Sequence, residues 1–343
     1  MPLRDIIGHG RALDLLARAV EHESVPPSQL FAGPPGVGKR LVALALAQAV
    51  NCLAPVAFAN GGRDACGKCA SCTRIARGVH PDIVRLEPDE DGAIGIDAIR
   101  EVLAQVGYRP FEARRRVVIV DEADGLGAPA QSALLKTLEE PPPGTIFILI
   151  SARPDALLPT VLSRCSRLRF MPLSPSEVAS ALAKRGYAEP EARAVAATAE
   201  GSLSRALEVD AGDLVGARNT AAAVLRQVAR DPGPKERLNQ AKALLEKRSG
   251  KKGSMTAAAF ERELLASNLR AMSSLLRDVE LLASGVDEQW LANRDVSSDL
   301  ERLCDVYAGG RSRAAFAAVD RALSALDRNA SAKIVADWVV LQI

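Results

Sequence analysis

The sequence predicts an α/β domain built on a parallel sheet, followed by a three-helix lid and an all-α C-terminal bundle. Three observations carry that expectation. Short β-like runs alternate with helical patterns as far as Phe170, as a parallel sheet with crossover helices requires. Strand signals then stop, and the rest of the chain is helical in pattern. Between the first strand and the first helix of this alternation lies Gly33-Pro34-Pro35-Gly36-Val37-Gly38-Lys39-Arg40, a phosphate-binding loop in the strand–turn–helix setting it needs.

The elements follow in order. Residues 28–32 form a short apolar strand running into the loop, and the Ala/Leu-rich 41–52 a helix. Residues 82–86 are a second strand, 96–106 a helix, 116–121 a third strand and 128–140 another helix. The most apolar stretch, 145–151, reads as a buried strand, and 167–170 as a fifth. Ser174-Pro175-Ser176-Glu177 is a helix start, with serine at the cap, proline at the first helical position and glutamate three beyond the cap. That helix should end near Gly186, with a second at 189–201 and a third from Ser202. Helical pattern continues to Ile343, broken at 231–234 and at the basic 247–253. The expected domains are 1–171 with a metal module at 52–80, a helical lid at 172–212 and a C-terminal helical domain at 213–343.

Composition narrows the function. Of 343 residues, 48% are apolar and 25% charged, as in ordinary globular chains, and the net charge of +2 sets up no global field toward nucleic acid or membrane. Any basic surface must be local. No apolar run approaches a membrane span and no leader-like segment opens the chain, so a cytoplasmic protein without a membrane partner is expected.

In a phosphate loop, glycines let successive N–H groups close around phosphate oxygens, the lysine reaches the β/γ-phosphates, and a final Ser/Thr hydroxyl holds Mg²⁺. Here Arg40 stands where the hydroxyl belongs, and a guanidinium cannot ligate a cation. The sequence therefore leaves ATP and Mg²⁺ binding open. The apolar run ending in Asp121-Glu122 supplies the two acids of a nucleoside triphosphatase, Asp121 to help hold Mg²⁺ and Glu122 to orient water; the plainer reading is an acidic strand end in solvent.

Cys66-x-x-Cys69-x-x-Cys72 with Cys52 offers four thiolates in a short excursion, a set that suits structural zinc. Cys52 is thirteen residues from the next cysteine, so His80 is the alternative fourth ligand. Arg164, in Ser163-Arg164-Cys165, could neutralise a phosphoryl group in a neighbouring molecule, or pair with a surface carboxylate. Arg205, at the start of a lid helix, could reach a γ-phosphate or simply face solvent.

Together these pieces resemble the clamp-loader branch of the AAA+ ATPases, clearly over residues 1–212. The resemblance rests on Asp5-Ile6-Ile7-Gly8-His9, on Ser132 through Pro142 (SALLKTLEEPP), on Leu158-Pro159-Thr160-Val161-Leu162-Ser163-Arg164-Cys165, on the position of the cysteine module, and more loosely on Asp327-Arg328-Asn329-Ala330. It implies a hetero-oligomeric arc with γ/τ motor and δ subunits, acting through the complex on a sliding clamp and primed DNA. It also implies that Arg164 is an arginine finger presented to the adjacent motor, and that the C-terminal helices join a collar. The γ/τ motors carry lysine-threonine where this chain has Lys39-Arg40, and the sequence ends without a τ-type extension. Both departures favour a comparatively rigid end member with little or no hydrolysis of its own over an active γ/τ-type ATPase. An alternative of another class is a zinc-stabilised nucleic-acid adaptor with a vestigial nucleotide fold, gripping phosphate with Arg114-Arg115-Arg116 and 247–252. The 3% aromatic content leaves few base-stacking platforms for it.

Overall fold

A computed structural model describes residues 1–89, 92–208, 211–230, 233–246, 257–287, 290–307, 309–328 and 330–343. The interruption at 231–232, the basic run at 247–253 and Asn329 of the late motif fall outside the described residues. The chain divides into two compact units, Met1–Leu173 and Ser174–Ile343.

The first unit runs α1 (Gly10–Glu21), β1 (Ser28–Ala32), α2 (Lys39–Asn51), β2 (Val56–Ala57), β3 (Arg63–Asp64), α3 (Ala70–Ala76), β4 (Ile83–Leu86), α4 (Ile96–Val106), β5 (Arg116–Val120), α5 (Ala128–Glu139), β6 (Thr145–Ser151), α6 (Pro159–Leu162) and β7 (Ser166–Arg169). Five strands form one sheet in the order β4-β5-β6-β1-β7. Every pairing in it is parallel, with Leu30 of β1 set between Leu149 and Arg167. Side chains alternate across a strand, so each strand feeds two cores. Phe31, Val117, Ile119, Ile146 and Ile148 pack with α1 and α2 on one face. Leu30, Val118, Val120, Phe147 and Leu149 pack with α4 and α5 on the other. Phe31, Phe147 and Phe170 are fully buried, each worth about 1.5–3 kcal/mol relative to exposure.

The expected α/β fold with helices on both sheet faces is present, and β1, α4 and β6 fall on the expected residues. Besides the one-turn α6, the sequence reading passed over three elements. In α1, Leu13, Leu16, Ala17 and Val20 form a buried helical stripe. The β2–β3 hairpin has only two residues per strand, too few to show a period. Its turn is fixed by close packing: a Cβ on Gly62 would lie 2.5 Å from the Ala17 carbonyl carbon. The third, α3, begins at the metal module's last two cysteines, with the Cys69 sulfur accepting from the Cys72 N–H as its cap.

Asp82 organises the amino edge of the sheet. It is fully buried and accepts from the backbone N–H groups of Phe111, Glu112 and Ala113 at 2.7–2.9 Å and from Arg116 Nη2 at 3.1 Å. Burial alone would raise its pKa, but these donors overcome it and hold the carboxyl below its ordinary value. Its contribution is therefore full above the ordinary carboxylate pKa and is lost as pH falls through the depressed one. Asp82→Ala strands the buried Arg116 charge and three N–H donors. It should cost about 3–5 kcal/mol and lower the melting temperature by roughly 10 °C, read by calorimetry at neutral pH; a shift under about 2 °C would show that the network carries no stability.

The second unit is helical: α7 (Pro175–Ala183), α8 (Glu189–Thr198), α9 (Leu203–Glu208), α10 (Ala211–Ala229), α11 (Pro234–Ala243), α12 (Ala257–Ala283), α13 (Ser297–Tyr307), α14 (Gly310–Asp327) and α15 (Ala332–Gln342). The Ser174–Glu177 capping box forms as expected. The expected boundary at 212/213 lies in the first turn of α10. Leu265, Leu269, Met272, Leu276 and Val279 make α12 the spine of the unit's core. A buried polar chain ties α8 to it: Ser274 donates to the Ala197 carbonyl at 3.0 Å, while Asn293 donates to Ser274 at 3.0 Å and to Asp278 at 2.8 Å.

Candidate functional site

The phosphate-loop residues leave the carboxyl end of β1 and enter α2, while Asp121 follows the carboxyl end of β5. Both motifs thus meet at the sheet edge where open α/β folds bind ligands. Gly33 is required by close approach, since a Cβ there would lie 2.2 Å from the Phe170 carbonyl oxygen. Gly36 and Gly38 take positive φ values of 73° and 105°, and Gly38 precedes the first residue of α2. Pro34, Pro35 and Val37 complete the turn. His9 Nε2 lies 2.8 Å from the Val37 carbonyl oxygen, and its ring meets Phe170 edge-on at 5.0 Å. The Asp5–His9 segment is thereby fastened to the loop.

Lys39 is 6% exposed and donates to the Gly33 and Pro34 carbonyls, both at 2.6 Å. Burial lowers its pKa, against the pull of Asp124, Asp121 and Glu122. Arg40 points at the acids: Nη2 lies 3.1 Å from Glu87 Oε1 and Nη1 3.5 Å from Asp121 Oδ2. The position of the metal-binding hydroxyl thus holds a cation already paired with the carboxylate that a metal would need. These residues do not fit Mg²⁺. Glu122 is exposed and left-handed, at φ 46°. Asp124 accepts from the Ala152 N–H at 3.1 Å and pairs with Arg153 at 3.4 Å, tying the end of β5 to the loop after β6. The sequence reading missed Glu87 and Asp124. Glu87 could have been found as the acid directly after the strand neighbouring the one that ends at Asp121.

Arg164 sits on the turn between α6 and β7. Its Nε and Nη2 donate to Glu139 Oε2 at 2.9 and 2.7 Å, and Nη1 to the Thr160 carbonyl at 3.0 Å. In the isolated chain it is paired with a carboxylate. Arg205, in α9 of the second unit, pairs with Glu200 at 2.7 Å.

The four cysteines come together, with the Sγ atoms of Cys52, Cys66, Cys69 and Cys72 all within 4.8 Å of one another. None is in a disulfide. Backbone N–H groups of Cys66, Cys69 and Cys72 donate to the sulfurs of Cys52, Cys66 and Cys69 at 3.2, 3.2 and 3.5 Å, the pattern that steadies thiolates. Burial opposes ionisation at Cys69, yet N–H donors from Cys72 and Leu53 and the sulfurs of Cys72 and Cys66 bring its pKa to about 6. Burial drives Cys72 the other way. The cluster can hold a metal ion, and the donor set is all sulfur. His80 is not part of it: its Nδ1 accepts from the Asp82 N–H at 3.3 Å, and Nε2 faces Glu112. Cys52 is therefore the fourth member. Arg116 is likewise withdrawn from the basic run by its burial against Asp82.

Residues 8–174 match the family described as DNA polymerase III, delta subunit. The chain is 33% identical over 205 residues to DNA polymerase III subunit delta' of Bacillus subtilis, covering 59% of each chain. It is 40% identical over 137 residues to the delta' subunit of Pseudomonas aeruginosa, covering 40% of each. It is also 32% identical over 212 residues to DNA polymerase III subunit tau of Bacillus subtilis, covering 60% of this chain and 36% of that one. The matched part spans less than two thirds of each of these relatives.

Proposed function

We propose, from the premise that residues 8–174 match the DNA polymerase III delta-subunit family, that this chain is a δ′-type subunit of a bacterial clamp loader with little or no ATP hydrolysis of its own. The observation that carries the reading is Arg40 against Asp121 and Glu87. A fixed guanidinium there repels a divalent cation and uses up its carboxylate, so the phosphate loop is kept as architecture. In this reading the subunit assists hydrolysis next door, presenting Arg164 to a γ/τ motor, with Glu122 and Arg205 as inherited members of its own nucleotide site. Its partners would be γ/τ and δ subunits in a hetero-oligomer in the cytoplasm, meeting the sliding clamp and primed DNA through the complex. No described helix is long and apolar enough to cross a membrane, in keeping with that setting. Residues 172–212 would serve as the lid and 213–343 as the collar domain.

Zinc is the metal best suited to four cysteine sulfurs. Bound by Cys52, Cys66, Cys69 and Cys72, it would supply a structural cross-link and no reaction chemistry.

The test is ATP turnover by the isolated chain with Mg²⁺. The expected rate is no higher than that of Lys39→Ala. Turnover that Lys39→Ala abolishes would overturn the reading and favour an active γ/τ-type motor, the alternative that the likeness to the tau subunit keeps in view.

A further inference from the structure

A cavity of about 280 Å³ opens at the sheet edge remote from the phosphate loop. Its lining includes Glu23, Cys52, Arg63, Arg114, Arg115 and Ile146. Arg115 directly precedes β5, Ile146 is the second residue of β6, and Glu23 lies in the approach to β1. These are the amino ends of strands whose carboxyl ends carry residues 33–40 and 121. A five-residue strand, roughly 17 Å, separates the two places.

The chain at this cavity is held firmly. Asn51, the last residue of α2, accepts from the Arg115 N–H and donates to the Arg115 carbonyl, both at 2.9 Å. Those bonds are to the Arg115 main chain, so they fix where its side chain starts without engaging its guanidinium. Arg63 comes from β3 of the hairpin. Arg4, Arg74 and Arg116 nearby all have carboxylate partners. By contrast, no carboxylate among the described residues lies within 4.0 Å of Arg63, Arg114 or Arg115.

The local charge is that of three guanidiniums less the Glu23 carboxylate, a net two positive charges, reduced by about half a charge from the carboxyl end of α2. A metal-filled cysteine site would be anionic, but its charge is spread over four sulfurs, of which only Cys52 borders the cavity. Guanidiniums match phosphate oxygens in pairs of parallel hydrogen bonds. The volume lies just below the usual small-molecule range, which begins near 300 Å³. That suits a compact polyanion better than a large cofactor. We propose that Arg63, Arg114 and Arg115 form a binding site for adjacent phosphate groups, carried either by a free oligophosphate or by a nucleic-acid strand. The site is independent of the nucleotide loop and of the proposed clamp-loader role.

The full-length protein is titrated with inorganic tripolyphosphate by calorimetry and with a short fluorescein-labelled oligothymidylate by anisotropy. Arg63→Gln/Arg114→Gln/Arg115→Gln is expected to weaken binding at least about tenfold and, for the oligonucleotide, to reduce the slope of log affinity against log salt by about 2. Lys39→Ala, at the opposite edge, should leave this arginine-dependent component in place. An effect on both probes supports a site open to a strand, and an effect on tripolyphosphate alone supports one for free oligophosphate. The exposed single change Arg114→Gln, with an unaltered melting temperature, should show a partial loss and so separates binding from misfolding. Unchanged affinity in the triple variant, or no binding of either probe by the wild type, overturns the proposal.

Discussion

Arg164→Ala in a reconstituted loader is expected to lower ATP turnover at the adjoining motor site by about three orders of magnitude, with assembly intact. The structure poses a competing contact, because Arg164 is held by Glu139 and the Thr160 carbonyl in the isolated chain. Magnitudes decide between them. The Arg164–Glu139 pair is 31% and 59% exposed, so it is worth about 1 kcal/mol or less. An arginine finger worth 10³–10⁵ in rate corresponds to about 4–7 kcal/mol in the transition state. The ion pair is thus a holder the guanidinium leaves readily. Arg164→Lys should not restore turnover, since an ammonium lacks the planar fork. Glu139→Gln should leave turnover unchanged or higher. Turnover by the Arg164→Ala complex equal to wild type, with the complex eluting whole in gel filtration, would remove Arg164 from the mechanism.

Cys69→Ser is expected to abolish metal retention and loosen the segment from Cys52 to the end of α3. Structural zinc sites in small modules carry about 10–16 kcal/mol of binding energy. Here the segment also has its own anchors, such as Gln48 Nε2 donating to the Cys72 carbonyl at 2.8 Å and Asp64 accepting from the Leu3 and Arg4 N–H groups at 3.0 and 3.1 Å. The loss should therefore appear as local melting on top of a lowered transition, with a fall of at least about 10 °C. Metal content by mass spectrometry and melting by calorimetry check it, with chelator-treated wild type as the parallel. Native protein purified without any bound metal, and melting like Cys69→Ser, would show that the thiols are merely packed together.

Much of this was legible in the chain because the signals were local. The strands β1, β5 and β6 are short apolar runs bounded by turn residues, and the capping box at Ser174 is written in four consecutive letters. The phosphate loop announces both its place and, through Arg40, its defect. What could not be read was which distant residue meets which. His80 stood as the substitute for Cys52 at the metal module, and the fold turns it toward Asp82 and Glu112 instead. Arg114, Arg115 and Arg116 look alike as letters. Alternation along the chain and one buried carboxylate send the third inward and leave the other two at a cavity with Arg63, fifty-one positions from Arg114 in sequence. Glu87 acquires a role only because parallel pairing sets β4 beside β5.

The single helix α2 has the phosphate loop at its first turn and a cluster thiol, Cys52, just past its last. Each helical residue adds a rise of about 1.5 Å and a rotation of about 100°. Inserting or deleting one residue anywhere in Lys39–Asn51 would swing one end a quarter-turn or more out of phase with the other. The spacing between these two landmarks is thus a fixed gauge: letters within it can drift wherever the buried stripe allows, but its length cannot.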